Sequence, residues 1–331
     1  MLAKLFRSFL YGVAVVGLAA TGAAAQTLTL ASDAPGSTYN AIASGMAKVI
    51  TEGSSVRVIV RPFGGPDNYL DQLNNGEVNL ATLSSSTAYI SYIGDNRAKK
   101  EYKNLRVLRS GDGGLFVSFI VLKDSDIKTV SDLKGRRVTS DFGGHAIIGK
   151  SLTGALATAG LTWKDVRAVP VTGANDGPHA LDTGRVDASW ASLGQPVVRE
   201  LHAKKGIRYL GFDKTPANLE ILRQHIFPNA KLELVKKNPG IGVENDIYLL
   251  TYDAYLVAHK DVDGNAVKTL LEALWKGTGE LAKIHRALAG FTHQAAVTDL
   301  PVIPYHPAAV AFYKEKGLWT EAAQKANAKF N

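Results

Sequence analysis

The chain has 331 residues and a formal net charge of +8. Apolar residues make up 46% and charged residues 21%, a composition that supports a buried core and excludes a disordered chain, a collagen-like chain and a multi-span membrane protein. It contains no cysteine, which excludes disulfide scaffolds, thiol catalysis and iron–sulfur clusters. The basic residues are scattered and no aromatic-studded basic stripe accompanies them, so we expect no nucleic-acid partner.

Residues 1–25 are typical of an export signal. Lys4 and Arg7 form a basic region, an apolar stretch covers residues 9–18, and three alanines at 23–25 supply a small-x-small cleavage pattern. The apolar stretch is short for a membrane span. We therefore expect cleavage after Ala25 and, without a cysteine for lipid attachment, release into the periplasm.

Strand-like and helix-like segments alternate directly after this signal. Ser37 or Thr38 stands at the N-cap position of a first helix, and a second helix is predicted from Gly64 to Gly76. The first helix is predicted from apolar positions at helical spacing, namely Ile42, Met46, Val49 and Ile50. Strands are predicted at residues 27–31, 56–60 and 78–83. This βαβαβ order is typical of a parallel sheet.

The same pattern recurs about 108 residues later. The matches fall mainly on turn positions, where backbone geometry is restrictive, so we expect two similar α/β lobes. The matching pairs are Ser32 and Ser140, Asp33 and Asp141, Gly36 and Gly144, Gly65 and Gly173, Leu73 and Leu181, Gly76 and Gly184, Val78 and Val186, and Ser84 and Ser192. Ligands of open parallel sheets bind beyond the carboxyl ends of the strands, so two facing lobes would enclose one cleft.

Two long apolar segments, residues 115–122 and 247–258, are predicted to cross between the lobes. The chain after the second crossing is predominantly helical in pattern, and it returns to the first lobe. The predicted boundaries are residues 26–118 plus 252–331 for lobe one and residues 119–251 for lobe two.

No catalytic or metal-binding motif is convincing. Gly144, Gly149, Lys150 and Ser151 formally match a phosphate-binding loop, but Gly149 to Ser151 fit better inside a helix beginning near Ala146. The histidines lack metal-ligand spacing, and no Gly-x-Ser-x-Gly elbow occurs. We therefore expect no metal, no cofactor and no enzymatic activity.

A set of hydroxyl, amide and glycine residues does converge on the strand ends. Neutral donors and helix N-termini bind carboxylates without burying a second full charge. Ordinary helix capping is the alternative explanation for each member, and Arg61 at the end of the second strand is a candidate counter-charge. The candidate ligand contacts are Ser37, Thr38, Tyr39, Arg61, Asn68, Ser84, Ser85, Ser86, Thr87, Gly143, Gly144, His145, Thr172, Gly173, Asn175, Asp176, Trp190 and Gln195.

Several segments, taken in order, resemble one family over essentially the whole chain after residue 25. They are residues 35–39, 64–68, 73–80, 105–108, 130–138, 159–166, 184–188, 303–307 and 313–317. In this order they resemble the TAXI-type (TRAP-associated extracytoplasmic immunogenic) solute-binding proteins, which serve tripartite ATP-independent periplasmic (TRAP) transporters.

The resemblance implies a two-lobe periplasmic-binding-protein fold, similar to type II, that closes on a small carboxylate or amino acid and delivers it to an ion-driven permease. It also implies ligand contacts at residues 37–39, 84–87 and 143–145. Two other functions stay open, namely a binding protein of an ATP-driven importer and an enzyme on this fold such as a pyrimidine-precursor synthase. We expect a monomer.

The ligand expected from the sequence is a C4–C5 mono- or dicarboxylate, ahead of a glutamate-like amino acid. Positive and neutral groups are visible in the loops, whereas an amine needs a carboxylate partner, and Asp67 and Asp176 are the only ones that the sequence offers there.

Overall fold

The computed structural model describes residues 26–330, so the predicted export signal lies outside the described residues. Strands and helices alternate through most of the chain. The strands are β1 Thr27–Ser32, β2 Arg57–Pro62, β3 Leu80–Ser84, β4 Leu105–Leu122, β5 Arg137–Ser140, β6 Arg167–Pro170, β7 Ser189–Ser192, β8 Ile207–Tyr209, β9 Lys231–Val235 and β10 Ile247–His259. The α-helices are α1 Thr38–Gly53, α2 Leu70–Asn74, α3 Ser85–Tyr92, α4 Ala146–Ala157, α5 Asp176–Asp182, α6 Pro196–Lys205, α7 Pro216–His225, α8 Gly264–Lys276, α9 Thr278–Ile284, α10 Pro307–Glu315 and α11 Glu321–Asn327.

The first βαβαβ unit is confirmed as a parallel sheet. Strand β1 lies at its centre and pairs in parallel with β2 and β3, and α1 buries the predicted apolar face against it. The predicted helix from Gly64 to Gly76 is wrong in extent. A 3-10 turn at Pro66–Asn68 is separated from α2 by Tyr69, whose ψ of -7° at φ -129° interrupts the helical backbone.

The second unit repeats this arrangement, as expected for two similar α/β lobes. Strand β5 pairs in parallel with β6, and it forms a parallel bridge to the segment that leads into β7. Gly76 and Gly184 both take left-handed φ values, 79° and 69°, which glycine adopts without steric cost. Ser84 and Ser192 end the equivalent strands β3 and β7. The turns at Gly76 and Gly184 therefore share their backbone geometry as well as their sequence.

Two long antiparallel strands, β4 and β10, join the two units. They pair with each other from Leu105 opposite His259 to Leu115 opposite Tyr252. Beyond that region β4 pairs with β7 and β8, whereas β10 pairs with β9, and the carboxyl end of β10 pairs with β3. Both predicted crossings are therefore strands. The predicted lobe boundaries fall within these strands and stay a prediction.

We call β1–α3 with the C-terminal helices the first lobe, and β5–β9 the second lobe. In the first lobe α8 packs against both α1 and α10. The buried Arg109 guanidinium secures this packing, since Nη1 donates to the Leu274 carbonyl (2.9 Å) and Nη2 to the Phe291 carbonyl (2.6 Å). Within residues 26–330, no helix combines the length and apolar character needed to cross a membrane.

Candidate ligand-binding site

A cavity lies between the two lobes, where the strand-end loops of both units meet. Its empty volume is about 590 Å³, including open solvent at its mouth. The first lobe contributes Asp33, Ser37, Thr38, Tyr39, Pro66, Thr82, Leu83, Ser84 and Thr87. The second lobe and the shared strands contribute Leu115, Val117, His145, Ile147, Ile148, Ala174, Trp190, Ala191, Ser192, Gln195 and Tyr252.

The first turns of α1 and α3 form the polar wall of the first lobe. Ser37 is the N-cap of α1, because its hydroxyl accepts from the Asn40 amide (3.1 Å). Ser84 caps α3 in the same way, accepting from the Thr87 amide (2.9 Å). Capping therefore uses Ser37 and Ser84 and leaves the Thr38 side chain for the cavity. Both helices also present the positive ends of their dipoles there.

Tyr39 adds a buried phenol to this wall. Its hydroxyl has no hydrogen-bond partner among the described residues. Burial raises the pKa of Tyr39 well above its usual value, with Tyr252 and Asp33 raising it further. The phenol is therefore neutral at physiological pH and can donate a hydrogen bond to a ligand.

The second lobe supplies a rigid wall from β7 and from the starts of α4 and α6. The Trp190 indole packs edge-on against Phe119, with ring centroids 5.2 Å apart. Gln195 is fixed at both ends of its amide, since Oε1 accepts from the Ser192 amide (3.3 Å) and Nε2 donates to the Ala174 carbonyl (3.2 Å). These contacts hold the side chains in place before any ligand arrives.

One carboxylate–histidine pair spans the cavity from lobe to lobe. His145 Nε2 lies 3.0 Å from Asp33 Oδ2, and both side chains are 5% exposed. The other carboxylate oxygen, Asp33 Oδ1, and the other ring nitrogen, His145 Nδ1, are buried without a hydrogen-bond partner. No lysine or arginine is among the described residues that line this cavity.

Further hydrogen bonds join the lobes around the cavity, so the structure is a closed form. Thr38 Oγ1 lies 2.6 Å from Ser192 Oγ. Asn175 donates to the Pro35 carbonyl (2.7 Å). The Asp67 carboxylate accepts from the Ala146 amide at the start of α4 (3.0 Å), where the helix dipole favours negative charge.

Ion pairs near the rim join the lobes as well. Lys150 reaches Asp95 (2.6 Å) and Arg97 reaches Asp141 (2.9 Å). The hydrogen bond to Asp141 raises the pKa of Arg97. Lys150 lies inside α4, as predicted, and its ammonium is paired with Asp95. This confirms that the formal phosphate-loop match does not form a loop here.

Glycines make the close approach of the lobes possible. A Cβ on Gly65 would overlap with the Gly144 carbonyl and the His145 ring, and a Cβ on Gly144 would lie 2.9 Å from both the Gly64 carbonyl oxygen and Asn68 Oδ1. These positions need glycine because any side chain would hold the lobes apart.

The structure places the predicted contacts in three groups. The cavity is lined by Ser37, Thr38, Tyr39, Ser84, Thr87, His145, Trp190 and Gln195. A neighbouring depression at the rim is lined by Asn68, Gly143, Gly144, Thr172, Gly173, Asn175 and Asp176. Arg61, Ser85 and Ser86 line neither of these. The ligand-binding role of each residue in these groups stays a prediction.

Three predicted contacts lie at neither the cavity nor the depression, each for a visible reason. Arg61 is exposed on the edge strand β2, with its guanidinium 5.0 Å from the Phe63 ring centroid. Ser85 and Ser86 are buried in the first turn of α3, and Ser86 Oγ lies 2.9 Å from Ser84 Oγ. A counter-charge from Arg61 is therefore not available to a ligand in the cavity.

Sequence reasoning missed several residues of the cavity wall. Asp33 was noted for its match to Asp141 and not as a ligand contact, although its place directly after β1 is the signal that could have found it. Tyr252 and Leu115 lie on the two crossing strands, where an apolar pattern gives no sign of a site.

Solved structures share this fold over nearly the whole chain. A protein described as a periplasmic transporter has a TM-score of 0.53 at 14% identity, with 92% of this chain and 96% of that chain covered. The alkanesulfonate-binding protein SsuA from Xanthomonas axonopodis pv. citri, bound to MOPS, has a TM-score of 0.50 at 16% identity, with 91% and 83% covered. A structure from Bordetella bronchiseptica RB50 has a TM-score of 0.50 at 18% identity, with 92% and 98% covered.

These likenesses confirm the predicted two-lobe α/β fold of periplasmic binding proteins. At such low identity they establish the fold alone. The family is established by sequence, since the profile of the NMT1-like family matches residues 30–317. That match covers both βαβαβ units, both shared strands and every residue that lines the cavity. The chain therefore belongs to the NMT1-like family.

Proposed function

We propose that this protein is an exported solute-binding protein whose two lobes close around a small organic molecule. The observation that carries the proposal is the cavity itself, which both lobes line and which interlobe hydrogen bonds such as Thr38–Ser192 enclose. Two lobes joined by two strands can close by hinge motion. A ligand that contacts both walls favours the closed form by its differential affinity.

We propose further that the protein delivers its solute to a TRAP-type permease. Its support is the ordered set of segments that resemble the TAXI-type proteins, all of which lie within residues 30–317 of the family match. A binding protein for an ATP-driven importer would share the same fold, so the fold does not discriminate. Uptake by the reconstituted permease driven by an ion gradient would support TRAP delivery. A requirement for ATP, or an ATPase gene beside this one, would refute it.

A small carboxylate is the ligand class that the sequence favours. The cavity offers it hydroxyl groups and the N-terminal ends of α1 and α3, which bind anions through backbone amides and the helix dipole. No lysine or arginine on the described wall would pair with it. Among carboxylates, an amino acid therefore fits better than a dicarboxylate, whose second charge would approach Asp33.

An enzymatic role is the competing class, because His145 in the cavity has the carboxylate partner that orients a catalytic base. We propose binding instead, since no nucleophile lies within hydrogen-bonding distance of either ring nitrogen among the described residues. A consumed or modified histidine would change the intact mass of the protein after incubation with candidate substrates. An unchanged mass together with reversible binding supports solute binding without catalysis.

The experiment begins with the solute that accompanies the purified protein. Denaturation, extraction and mass spectrometry identify this solute, and a melting series with organic and amino acids then ranks ligands. A ligand at 100 times its Kd stabilises the folded state by about 2.7 kcal/mol. Small-angle scattering should show a smaller radius of gyration with ligand. No stabilising compound and an unchanged radius would refute solute binding.

Two matched alanine-to-phenylalanine substitutions test whether the ligand binds in the cavity. Ala174 is half-buried and lines the cavity, whereas Ala159 is half-buried and lies outside it. We expect Ala174→Phe to abolish ligand-induced stabilisation by filling the mouth, and Ala159→Phe to leave it unchanged. Equal effects of the two variants would place the site elsewhere.

A further inference from the structure

We propose that the solute carries a protonated nitrogen that binds Asp33 and an apolar group that packs on the Trp190 wall. The ligand class is thus a small amphipathic amine, with or without a carboxylate, and not a dicarboxylate. This inference rests on the proposed solute-binding function. It follows from three observations on the cavity wall, which concern the charge of Asp33, the state of His145 and the distribution of apolar residues.

Asp33 is a buried carboxylate with an unused oxygen. It is 3% exposed, and Oδ2 faces His145 while Oδ1 has no partner. A buried charged oxygen without a hydrogen bond is costly. The nearby Asp67 differs, since its carboxylate pairs with Arg97 at 3.5 Å and accepts from the Ala146 amide. Asp33 Oδ1 therefore lacks a hydrogen-bond donor, and a ligand in the cavity can supply one.

His145 does not supply a donor to Asp33 Oδ1, because its Nε2 faces Oδ2. Its Nδ1 is buried without an acceptor, against the backbone of Gly65. An imidazolium would leave a charged Nδ1–H unpaired in this place. The neutral tautomer with its proton on Nε2 donates to Asp33 without placing an unpaired charged N–H at Nδ1, and it leaves the buried Asp33 charge for a ligand to pair. The pair then carries one net negative charge into the cavity.

A protonated amine matches the unpaired groups on this wall. It has several N–H donors and one positive charge, so it can bind Asp33 Oδ1 and also donate to the Tyr39 oxygen, which is buried and unpartnered as well. A charge-assisted hydrogen bond of this kind is stronger than a neutral one. A dicarboxylate would instead bring a like charge toward Asp33, without a lysine or arginine among the described lining residues to offset it.

Several residues of the cavity wall are apolar. Leu83, Leu115, Val117, Ile147 and Trp190 line the cavity, and all are at most 5% exposed. Burial of apolar ligand surface contributes about 25 cal/mol per Å², whereas a second carboxylate placed there would lose its hydration without a partner. These residues therefore select a hydrocarbon or aromatic group on the ligand in addition to its charged group.

The test uses four probes that differ in charge while keeping a similar size: L-leucine, isopentylamine, 4-methylpentanoate and glutarate. Melting curves and calorimetry of the full mature chain should show that at least one amine-bearing probe binds at least tenfold more tightly than 4-methylpentanoate and glutarate. A broader panel of organic acids and amines is screened in parallel. The inference predicts that every stabilising compound carries a cationic nitrogen, and a stabilising compound without one overturns it.

Asp33→Asn tests the named contact, because asparagine keeps the size of the side chain and can still accept from His145. Affinity for the best amine should fall at least tenfold, about 1.4 kcal/mol. Asp71→Asn is the control, an exposed carboxylate paired with Lys100 outside the cavity. Unchanged amine affinity in Asp33→Asn overturns the inference and leaves the proposed function intact. If no compound binds and the lobes do not close, the proposed function itself fails.

Discussion

Ser37 and Thr38 are adjacent hydroxyl residues with different hydrogen-bond partners. Ser37 caps α1 by accepting from the Asn40 amide. Thr38 Oγ1 instead meets Ser192 Oγ across the cavity at 2.6 Å, which is short for a hydroxyl pair and typical of a good hydrogen bond. The substitution Thr38→Val removes this interlobe bond and keeps the branched shape, so it should act on closure and not on the helix.

The size of the effect follows from the geometry. A net hydrogen bond contributes about 1 kcal/mol, which corresponds to about a fivefold change in an equilibrium constant. Because the bond exists only when the lobes meet, Thr38→Val should lower ligand affinity about fivefold and leave the melting temperature of the open, unliganded protein nearly unchanged. Ser37→Ala should lower stability by about 1 kcal/mol through loss of the cap, or about 2 °C in a chain of this size.

Calorimetric titration and melting curves measure the two losses separately, and spin labels report closure directly. The chain has no cysteine, so Glu52→Cys and Lys164→Cys, one exposed position on each lobe, can be labelled without background. The distance distribution should shorten with ligand in the parent protein and shift less in Thr38→Val. The reasoning is refuted if Thr38→Val lowers the melting temperature like Ser37→Ala while its affinity stays unchanged.

Three further predictions concern the interlobe contact, the phosphate-loop match and a buried histidine. Gly144→Ala should weaken ligand binding at least tenfold, since its Cβ would lie 2.9 Å from Gly64 and Asn68 on the opposite lobe. Gly149→Ala is the control in α4: its Cβ would have no atom within 4 Å, so it should instead stabilise the helix by about 1 kcal/mol. Parental affinity of both variants in calorimetry would contradict the closed geometry. Lys150→Gln should remove the ion pair to Asp95 and weaken ligand binding no more than about fivefold, the upper end for an exposed ion pair. Nucleotide binding by the parent protein, measured by filter retention, would show instead that the phosphate-loop match is functional. His306 Nδ1 accepts from the Ala308 amide as the cap of α10, and burial lowers the pKa of His306. The unfolded chain therefore takes up the proton first, so this stability is present above about pH 6.5 and is lost as pH falls from there toward the lowered pKa. Melting curves between pH 7.5 and 5.5 should show a smaller loss for His306→Asn than for the parent or for the exposed His179→Asn, and equal slopes in all three would contradict the assignment.

The sequence by itself determined the repeated βαβαβ architecture. Helical and strand periodicity are local properties, and the turns that separate them need particular residues, as the left-handed Gly76 and Gly184 show. The cap at Ser37, the start of α4 at Ala146 and the two long crossing strands were predictable for the same reason. The exception was the segment after Gly65, where Tyr69 interrupts a pattern that predicted a continuous helix.

Only the tertiary structure decided which of the polar residues share one cavity. Asp33 and His145 are 112 residues apart and Thr38 and Ser192 are 154 apart, so their contacts depend on how the two lobes meet, which periodicity does not encode. The same packing left Arg61 on an exposed edge strand and brought an unpaired Asp33 oxygen into the cavity. The charge inside a closed site is the sum of side chains from both walls, and therefore it is a property of the closed fold and not of any single segment.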